Sequence, residues 1–575
     1  MRGATGGQSR ASRWLAVLSV VSILGWAVPA VVMLGKGFAV EDEGSYLLAY
    51  RFWHVNPYYV SGAQYVYGPL FEAVGESIPL LRILRLVGVL ATNAWLAWCF
   101  VAWLGRQGLT RLPASRASLV LLVTASGGMT YLWTPLSPGY HALTADVCLV
   151  LVSLLLLTLT GNRQPWVAAL SGVGAVVLVV TKWTAFPVAV LTIGAALWVA
   201  GHTSRVEAVR HAALVLCGVL AALLALQLWF VPLGRFVSTL WHVSSLTAVG
   251  SHGLLYLARA NVATTGLLLL ASVTAALPLV AGFYGARRAA ARGSDTVAQV
   301  WLWGAGACTL LLVLPVAVGW RGGSDHDRSF AGAFGALLVA CLAGAAYRRG
   351  PLPGGSSGRL LAAVLAVVPL LQAAGTNVPL LYVAAECLAM WTAAVLMLAC
   401  RERGPEIVTT AVLVDLAVLV VVTAMITSSS TLMNPFKTSS VVDATTIVPS
   451  LGVRLDPATA RQYAALVAAV GPHVVPDRTP VLTLDQNAGL TYLLRGVPAG
   501  STWTDAASPS RTAGILELAC REGDVAAAPV LVVDRPVDPA LRRALAGCGF
   551  DYPAGYRELA VPDGPPGLRV FVPRP

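Results

Sequence analysis

The chain has 575 residues, of which 57% are hydrophobic and 11% charged, with a mean hydropathy of +0.72 and a formal net charge of +12. A soluble domain carries about 25% charged residues, so an ordinary soluble enzyme and a disordered chain are both excluded. The composition is that of a polytopic membrane protein. The positive charge does not point to nucleic acid. The arginines and the three lysines, Lys36, Lys182 and Lys437, are scattered at loop edges, with no basic run interleaved with aromatics, as membrane orientation requires.

Hydropathy marks thirteen apolar spans, at 14–34, 83–104, 117–134, 141–160, 165–181, 183–200, 210–232, 262–283, 299–318, 330–346, 360–374, 378–400 and 406–427. Most reach the ~20 residues that cross ~30 Å of hydrocarbon. The two spans that flank Thr181-Lys182-Trp183 are short enough to be half-spanning or re-entrant. The first span, flanked by Arg10 and Arg13, lacks a small-residue cleavage site and reads as an anchor, not a removed signal. With the N-terminus in the cytoplasm, the inner loops carry about twice the basic residues of the outer ones. Thirteen crossings then place the C-terminus outside. The inner loops are short and leave no cytoplasmic domain for a nucleotide, so any chemistry is expected to face outward.

The domain reading is a transmembrane domain over 1–427 with a long first outer loop at 35–80, a linker over 428–445, and an extracytoplasmic α/β domain over 446–575. In that last domain, Pro457 to Val470 predicts a helix with Asp456 as N-cap. The runs 481–484, 530–533 and 568–572 predict buried strands, and 538–547 a second helix ended by Gly547. Alternating strands and helices give a three-layer α/β domain without a phosphate loop. About 130 residues suffice for a core of its own. Seven cysteines fall in spans and act as small apolar residues, whereas Cys520 and Cys548 lie in the outer domain, where a disulfide is open to them.

The stretch that carries chemistry is Glu41-Asp42-Glu43-Gly44-Ser45-Tyr46, just after the first span. Repulsion and desolvation oppose ionising all three acids at a membrane face. One reading is a solvated loop edge. The functional reading is a carboxylate at the membrane–water boundary, able to take a proton or bind a divalent metal. No other cofactor is expected.

Asp42-Glu43 followed by Tyr46 resembles the acidic first-loop motif of the GT-C glycosyltransferases, in the branch of the protein O-mannosyltransferases and aminoarabinose transferases. Further segments resemble that branch in order. They are Tyr67-Gly68-Pro69-Leu70 before the second span, Arg82 to Val89 at its start, and Thr144-Ala145-Asp146 opening a later span. Val180-Thr181-Lys182 follows at a corner, then His326-Asp327-Arg328-Ser329-Phe330 before a late span, and Asp485 to Pro498 in the outer domain. The resemblance covers nearly the whole chain. Ser45 stands where the aminoarabinose transferases carry Arg, Phe330 replaces a Tyr, and Gly68-Pro69 replaces a Pro-Pro pair.

The resemblance implies a membrane-embedded all-α GT-C-like fold and transfer of a sugar from a polyprenyl-phosphate donor to an envelope glycan, lipid or protein acceptor. Physical argument reaches the same class. Nucleotide sugars are absent outside the cell, so a donor used there arrives activated and lipid-anchored. Asp42 is expected as the base, with Glu43 as its neighbour or a second acceptor contact. Direct attack on the anomeric carbon inverts it and needs one carboxylate base, unlike two-carboxylate hydrolases. Lys182, Arg328, Arg82 and Arg85 are expected on the phosphate side, with His326, Tyr46, Tyr67 and Asp146 bordering the donor. Asp146, Glu386 and Asp415 lie inside spans, where a charge costs about 2.5–3.5 kcal/mol; Glu386 and Asp415 receive no catalytic role. Tyr58, Tyr59, Tyr65 and Tyr67 form an aromatic belt, and the loop 236–260 is expected as an interfacial helix covering the pocket.

Rival readings are a transporter or lipid flippase, with buried acids as proton-coupling groups, a glycan ligase using a diphosphate donor, and a non-catalytic envelope assembly protein. Arginine over lysine and rich Ala, Leu, Val and Gly usage resemble high-GC bacteria, which points to a bacterial plasma membrane.

Overall fold

The computed structural model describes residues 5–59, 61–107, 114–131, 135–247, 254–318, 351–376, 378–400, 406–433, 444–484, 487–504 and 509–574. Among them, eight helices are long and apolar enough to cross a membrane: Ser12–Val32, Ile78–Arg106, Tyr140–Leu159, Trp183–Thr203, Arg205–Phe230, Gly355–Ala373, Leu380–Ala399 and Thr409–Leu432. Pro165–Thr181 is a shorter apolar helix. The chain is a multi-pass membrane protein. The long helices Leu254–Ala291 and Asp295–Val318 pack on each other. The expected span at 330–346 lies outside the described residues.

Three apolar segments are interrupted. The Arg116–Ala125 helix tightens into a 3-10 turn at Ser126–Tyr131. Leu380–Ala384 and Leu388–Ala399 are joined by a 3-10 turn at Ala385–Cys387. Lys182 is extended between Thr181 and a 3-10 turn at Trp183–Ala185. Carbonyls released by such breaks must find donors inside the protein. Arg85 donates to the carbonyls of Thr130 (2.7 Å) and Pro135. Lys182 Nζ donates to Gln372 O (2.6 Å), and Gln372 Nε2 to Val383 O (2.6 Å).

The last helix of the bundle, Glu406–Met433, runs past residue 427. The C-terminal region then opens with a hairpin of β1 (Thr446–Val448) and β2 (Val453–Leu455). Its main sheet holds β3 (Pro480–Thr483), β4 (Val497–Pro498), β5 (Val530–Val533), β6 (Tyr556–Leu559) and β7 (Arg569–Pro573), in the order β4-β3-β5-β7-β6. β3 is parallel to β4 and β5, and β7 is antiparallel to β5 and β6. The expected strands and both expected helices are present; Asp456 caps Pro457–Val470 through the amides of Ala458 and Thr459, as read from the sequence. Cys520 and Cys548 form a disulfide, their Cα atoms 5.7 Å apart.

One face of the domain's sheet closes a core mostly within the domain, and the other shares a core with the first loop. Alternation along the strands sends Leu482, Leu531, Val533 and Phe571 toward helices Pro509–Arg521 and Pro539–Gly547. Val481, Val530, Val532, Val570 and Val572 go the other way, into one cluster with Phe38, Tyr46, Leu47, Tyr50 and Phe71 of the first loop. That loop folds as two short helices, Asp42–Arg51 and Gln64–Ala73. Arg454 donates its amide to Gly35 O (2.8 Å) and accepts from the Gly37 amide (2.9 Å), so the chain after the first span pairs with β2. Gly489 N donates to Val40 O (2.7 Å). The stretch expected as one covering helix, 236–260, is divided between the start of Leu254–Ala291 and a separate helix, Leu233–Thr247. The latter lays Leu246 on Gly514, and Arg235 grips Asp524 at 2.5 Å.

The approach of the Asp42–Arg51 helix to the C-terminal domain allows no side chain at Gly44. A Cβ there would stand 2.3 Å from the backbone nitrogen of Gly489. Gly44→Ala is expected to cost about 1–3 kcal/mol by overpacking, seen as a lower melting temperature and faster proteolysis of the C-terminal domain. Gly194, mid-helix with nothing within 4 Å of an added Cβ, is the control. Gly194→Ala should be neutral or stabilise by up to ~1 kcal/mol.

Candidate active site

Asp42 and Glu43 occupy the first turn of the Asp42–Arg51 helix, where the helix dipole favours negative charge. This eases the clustering of acids that the sequence made costly. The two side chains nevertheless diverge. Glu43 is 1% exposed. Its Oε1 accepts from Arg82 Nε (3.0 Å), Ser137 N (3.1 Å) and Ser137 Oγ (2.6 Å), and its Oε2 from Arg82 Nη2 (3.0 Å) and Ala39 N (3.1 Å). Arg82 directs its remaining protons to the carbonyls of Met33, Leu34, Lys36 and Gly37.

Of the residues expected at the site, Glu43 and Arg82 are brought together with each other, and Glu43 stands to Asp42 as a neighbour. Each occupies the other in a buried ion pair. Desolvation opposes the Glu43 anion, but the Arg82 guanidinium, Ser137 and the Ala39 amide together hold its carboxyl below the ordinary value of 4.5.

Asp42 keeps part of its surface open. The Trp503 side chain, in the C-terminal domain, is near enough to act on the Asp42 carboxyl. Burial pushes its carboxyl above the usual aspartate range, and the indole draws it partway back. Glu41 is raised by burial and then by Asp42. Tyr46, Tyr59 and Tyr140 surround Asp42, and burial holds the Tyr46 and Tyr59 hydroxyls neutral. The Tyr46 ring meets the edges of Tyr59 and Tyr140, each at 6.5 Å between centroids. Arg511, 3% exposed, lies 4.6 Å over the Trp503 ring and near Tyr59 and Tyr140.

Lys182 lies within electrostatic range of His141, the residue after Tyr140. Its corner is held to the first loop by Ser61 Oγ donating to Thr181 O (2.8 Å) and Gly62 N to Val180 O (2.9 Å). One ammonium proton goes to Gln372 O. The other two have no protein acceptor among the described residues. Glu386, in the turn that interrupts Leu380–Ala399, is within electrostatic range of Lys182, Arg85 and Tyr140. Neither of its oxygens accepts a hydrogen bond among the described residues.

Arg85 is built into the wall, over the Tyr131 ring at 4.4 Å. Tyr67 is buried against Tyr50, with 5.5 Å between ring centroids. Asp146 accepts from Thr92 Oγ1 (2.8 Å). The expected donor-side residues His326 and Arg328 lie outside the described residues. No group of three His, Cys, Asp or Glu placed to hold a metal occurs among the described residues.

Sequence reasoning missed Trp503, Arg511, Ser137 and the setting of Glu386. A tryptophan and an arginine in a polar domain carry no spacing signal that points to a site some 460 residues earlier.

No family model and no curated protein matches the chain. Among solved structures, it aligns with ArnT from Cupriavidus metallidurans bound to undecaprenyl phosphate, over 98% of each chain, at 12% identity and a TM-score of 0.38.

Removing one partner of a buried ion pair strands the other charge and costs about 3–5 kcal/mol. Arg82→Ala and Glu43→Gln are each expected to destabilise on that scale, and the double variant by less than the sum, measured by thermal unfolding in detergent. Because the folded carboxyl is depressed, the stability it contributes is complete above pH about 4.5 and is lost as the pH falls through the lower folded value. Glu43→Gln should flatten that acid-side decline.

Proposed function

We propose that the protein is an integral-membrane glycosyltransferase of the GT-C kind, which moves a sugar from a polyprenyl phosphate to an envelope acceptor on the extracytoplasmic face. One observation carries the reading. Asp42 is a desolvated carboxylate at a helix N-terminus, close to neutral tyrosines, while the acid beside it is wholly engaged by Arg82. A single carboxylate set apart in this way is what a one-base, inverting transfer needs.

In this reading Asp42 takes the proton of an acceptor hydroxyl as its oxygen bonds to the anomeric carbon. The bond from that carbon to the phosphate oxygen breaks, its electron pair leaves with polyprenyl phosphate, and the configuration inverts. Lys182, with two unplaced protons, meets the developing phosphate charge. The apolar surface of the bundle receives the lipid. Tyr46 and Tyr140 flank the sugar, while Tyr67, Arg85 and Asp146 shape the wall behind. Arg328 and His326 complete the phosphate side. The N-terminus is cytoplasmic and the C-terminal domain extracytoplasmic. The Cys520–Cys548 disulfide supports that orientation, since such bonds persist in oxidising compartments. A bacterial plasma membrane is the proposed home.

A second reading, a transporter or lipid flippase, draws on Glu386. A buried acid without hydrogen bonds in an interrupted helix is a feature of transporters.

The test is release of free polyprenyl phosphate by protein in lipid discs, given a panel of polyprenyl-phosphate sugars and crude envelope acceptor. Wild type should release it, Asp42→Asn should lose at least about a hundredfold while keeping donor binding, and Lys182→Ala should weaken donor binding. A base must be ionised, so activity should fall as the pH drops through the raised Asp42 value, with an acid limb above 3.8. Equal release by wild type and Asp42→Asn would remove Asp42 as the base. No release from any donor would favour the transporter.

A further inference from the structure

We infer that the end of the bundle remote from the first loop carries a binding site for the phosphodiester headgroup of a membrane phospholipid, between Arg163 and Arg210. The site is separate from the proposed transfer reaction and does not depend on it. Four helices turn there: Tyr140–Leu159 and Phe186–Thr203 end, and Pro165–Thr181 and Arg205–Ala225 begin. Lys182 caps the other end of the 17-residue helix Pro165–Thr181, roughly 25 Å away at 1.5 Å per residue. In the orientation proposed above, the remote end is cytoplasmic. The turns border a partly open cleft of about 540 Å³. Further in, a Cβ on Gly172 would stand 2.1 Å from Val215 O, and one on Gly218 2.0 Å from Ala169 O. Helices Pro165–Thr181 and Arg205–Ala225 therefore touch backbone to backbone, and the cleft between their ends is shaped before any ligand arrives.

The local sequence sets the charges along the cleft. Ser204 caps Arg205–Ala225, its Oγ accepting from Glu207 N at 3.1 Å. Ser204 and Glu207 have the spacing of a capping box, in which the glutamate reaches back to the serine amide. That amide instead donates to Ala200 O at 3.1 Å. The Glu207 carboxylate is left to face Arg163 Nη1 at 3.8 Å and Arg210 Nη1 at 3.9 Å. Both contacts fall on one oxygen, and both are too long for a hydrogen bond. Neither guanidinium donates a hydrogen bond among the described residues. Two arginines against one glutamate leave one positive charge over, which the single negative charge of a phosphodiester balances. Guanidinium forks suit phosphate oxygens. His211, one turn on from Glu207, also lines the cleft, and its enclosed Nε2 has no hydrogen-bond partner among the described residues. A phosphate oxygen supplies one. Two observations favour a lipid over free phosphate. Val199 and Leu214 give the cleft an apolar side, which suits the glycerol and first methylenes of a lipid. Trp166 and Trp198, 44% and 40% exposed, each adjoin a lining residue in sequence, and exposed tryptophan marks the membrane–water boundary. A basic cleft between spanning helices at that depth is placed to take a headgroup.

The experiment titrates the full chain, stripped of lipid in a phosphate-free detergent, with dioctanoyl phosphatidylglycerol, with dioctanoylglycerol and with inorganic phosphate. Binding is read by native mass spectrometry and by the shift in melting temperature. Wild type, the double variant Arg163→Gln/Arg210→Gln and Arg288→Gln are compared. Arg288 is an exposed arginine in another loop of the proposed cytoplasmic face. Phosphatidylglycerol should bind wild type saturably and raise its melting temperature. The double variant should melt like wild type without lipid and bind at least about tenfold more weakly. Arg288→Gln should bind like wild type. Dioctanoylglycerol, which lacks the phosphate, should not stabilise, and inorganic phosphate should stabilise less than the lipid. If the paired change unfolds the protein, Arg163→Gln alone, at a half-exposed side chain, carries the test. Unchanged saturable binding in the Arg163 and Arg210 variants, or an equal loss in Arg288→Gln, overturns the site. Stabilisation by inorganic phosphate that matches the lipid overturns the phospholipid as its ligand. Neither result bears on Asp42.

Discussion

The buried pair between Glu43 and Arg82 is the constraint on which the site is built. Arg82, at the start of the Ile78–Arg106 helix, gathers the four carbonyls of Met33, Leu34, Lys36 and Gly37 together with the Glu43 carboxylate. That ties the chain leaving the first span to the start of the second and fixes where the Asp42–Arg51 helix begins. Replacing such a pair with apolar groups is often neutral or stabilising, so bulk stability is a poor account of it. What it provides is direction. With Glu43 drawn into the protein, its neighbour on the helix is left facing Tyr46, Tyr59, Tyr140 and Trp503.

A second consequence follows in the C-terminal domain. The helix fixed by Arg82 presents Gly44 and an apolar surface, and half of the domain's sheet packs on it. Polar links surround that shared core. Arg51 pairs with Glu76 and Asp477 and lies 4.8 Å over the Tyr492 ring, while Tyr58 and Arg235 both reach Asp524. The first loop is therefore the hinge pin between bundle and domain. A carboxylate with its surroundings contributed by both is desolvated, which raises its proton affinity.

Within the bundle, helix breaks at Ser126–Tyr131, Lys182 and Ala385–Cys387 release backbone carbonyls, and Arg85, Lys182 and Gln372 take them up. Irregular backbone at membrane depth is tolerated only where protein or a polar cavity satisfies it. Two of the groups that satisfy it here, Arg85 and Lys182, are cations within electrostatic range of Glu386, so the demands of the backbone and of a buried acid are met together.

Much of this was legible in the residues themselves. Apolar runs announce their own helices, because transfer of side chains into hydrocarbon depends on local composition alone. The strands at 481, 530 and 569 and the Asp456 cap were readable for the same reason: alternation and capping act within a few residues. Asp42 stood out because three adjacent acids at a membrane edge need an explanation, and Lys182 because it is one of three lysines. What no local pattern holds is pairing across distance. That Glu43 turns inward to Arg82, that Gly44 meets Gly489, that Val532 and Tyr50 share a core, and that Trp503 reaches Asp42 were decided by which surfaces met when the chain closed. Charge and apolarity are properties of a residue, but the partner that satisfies them is a property of the fold.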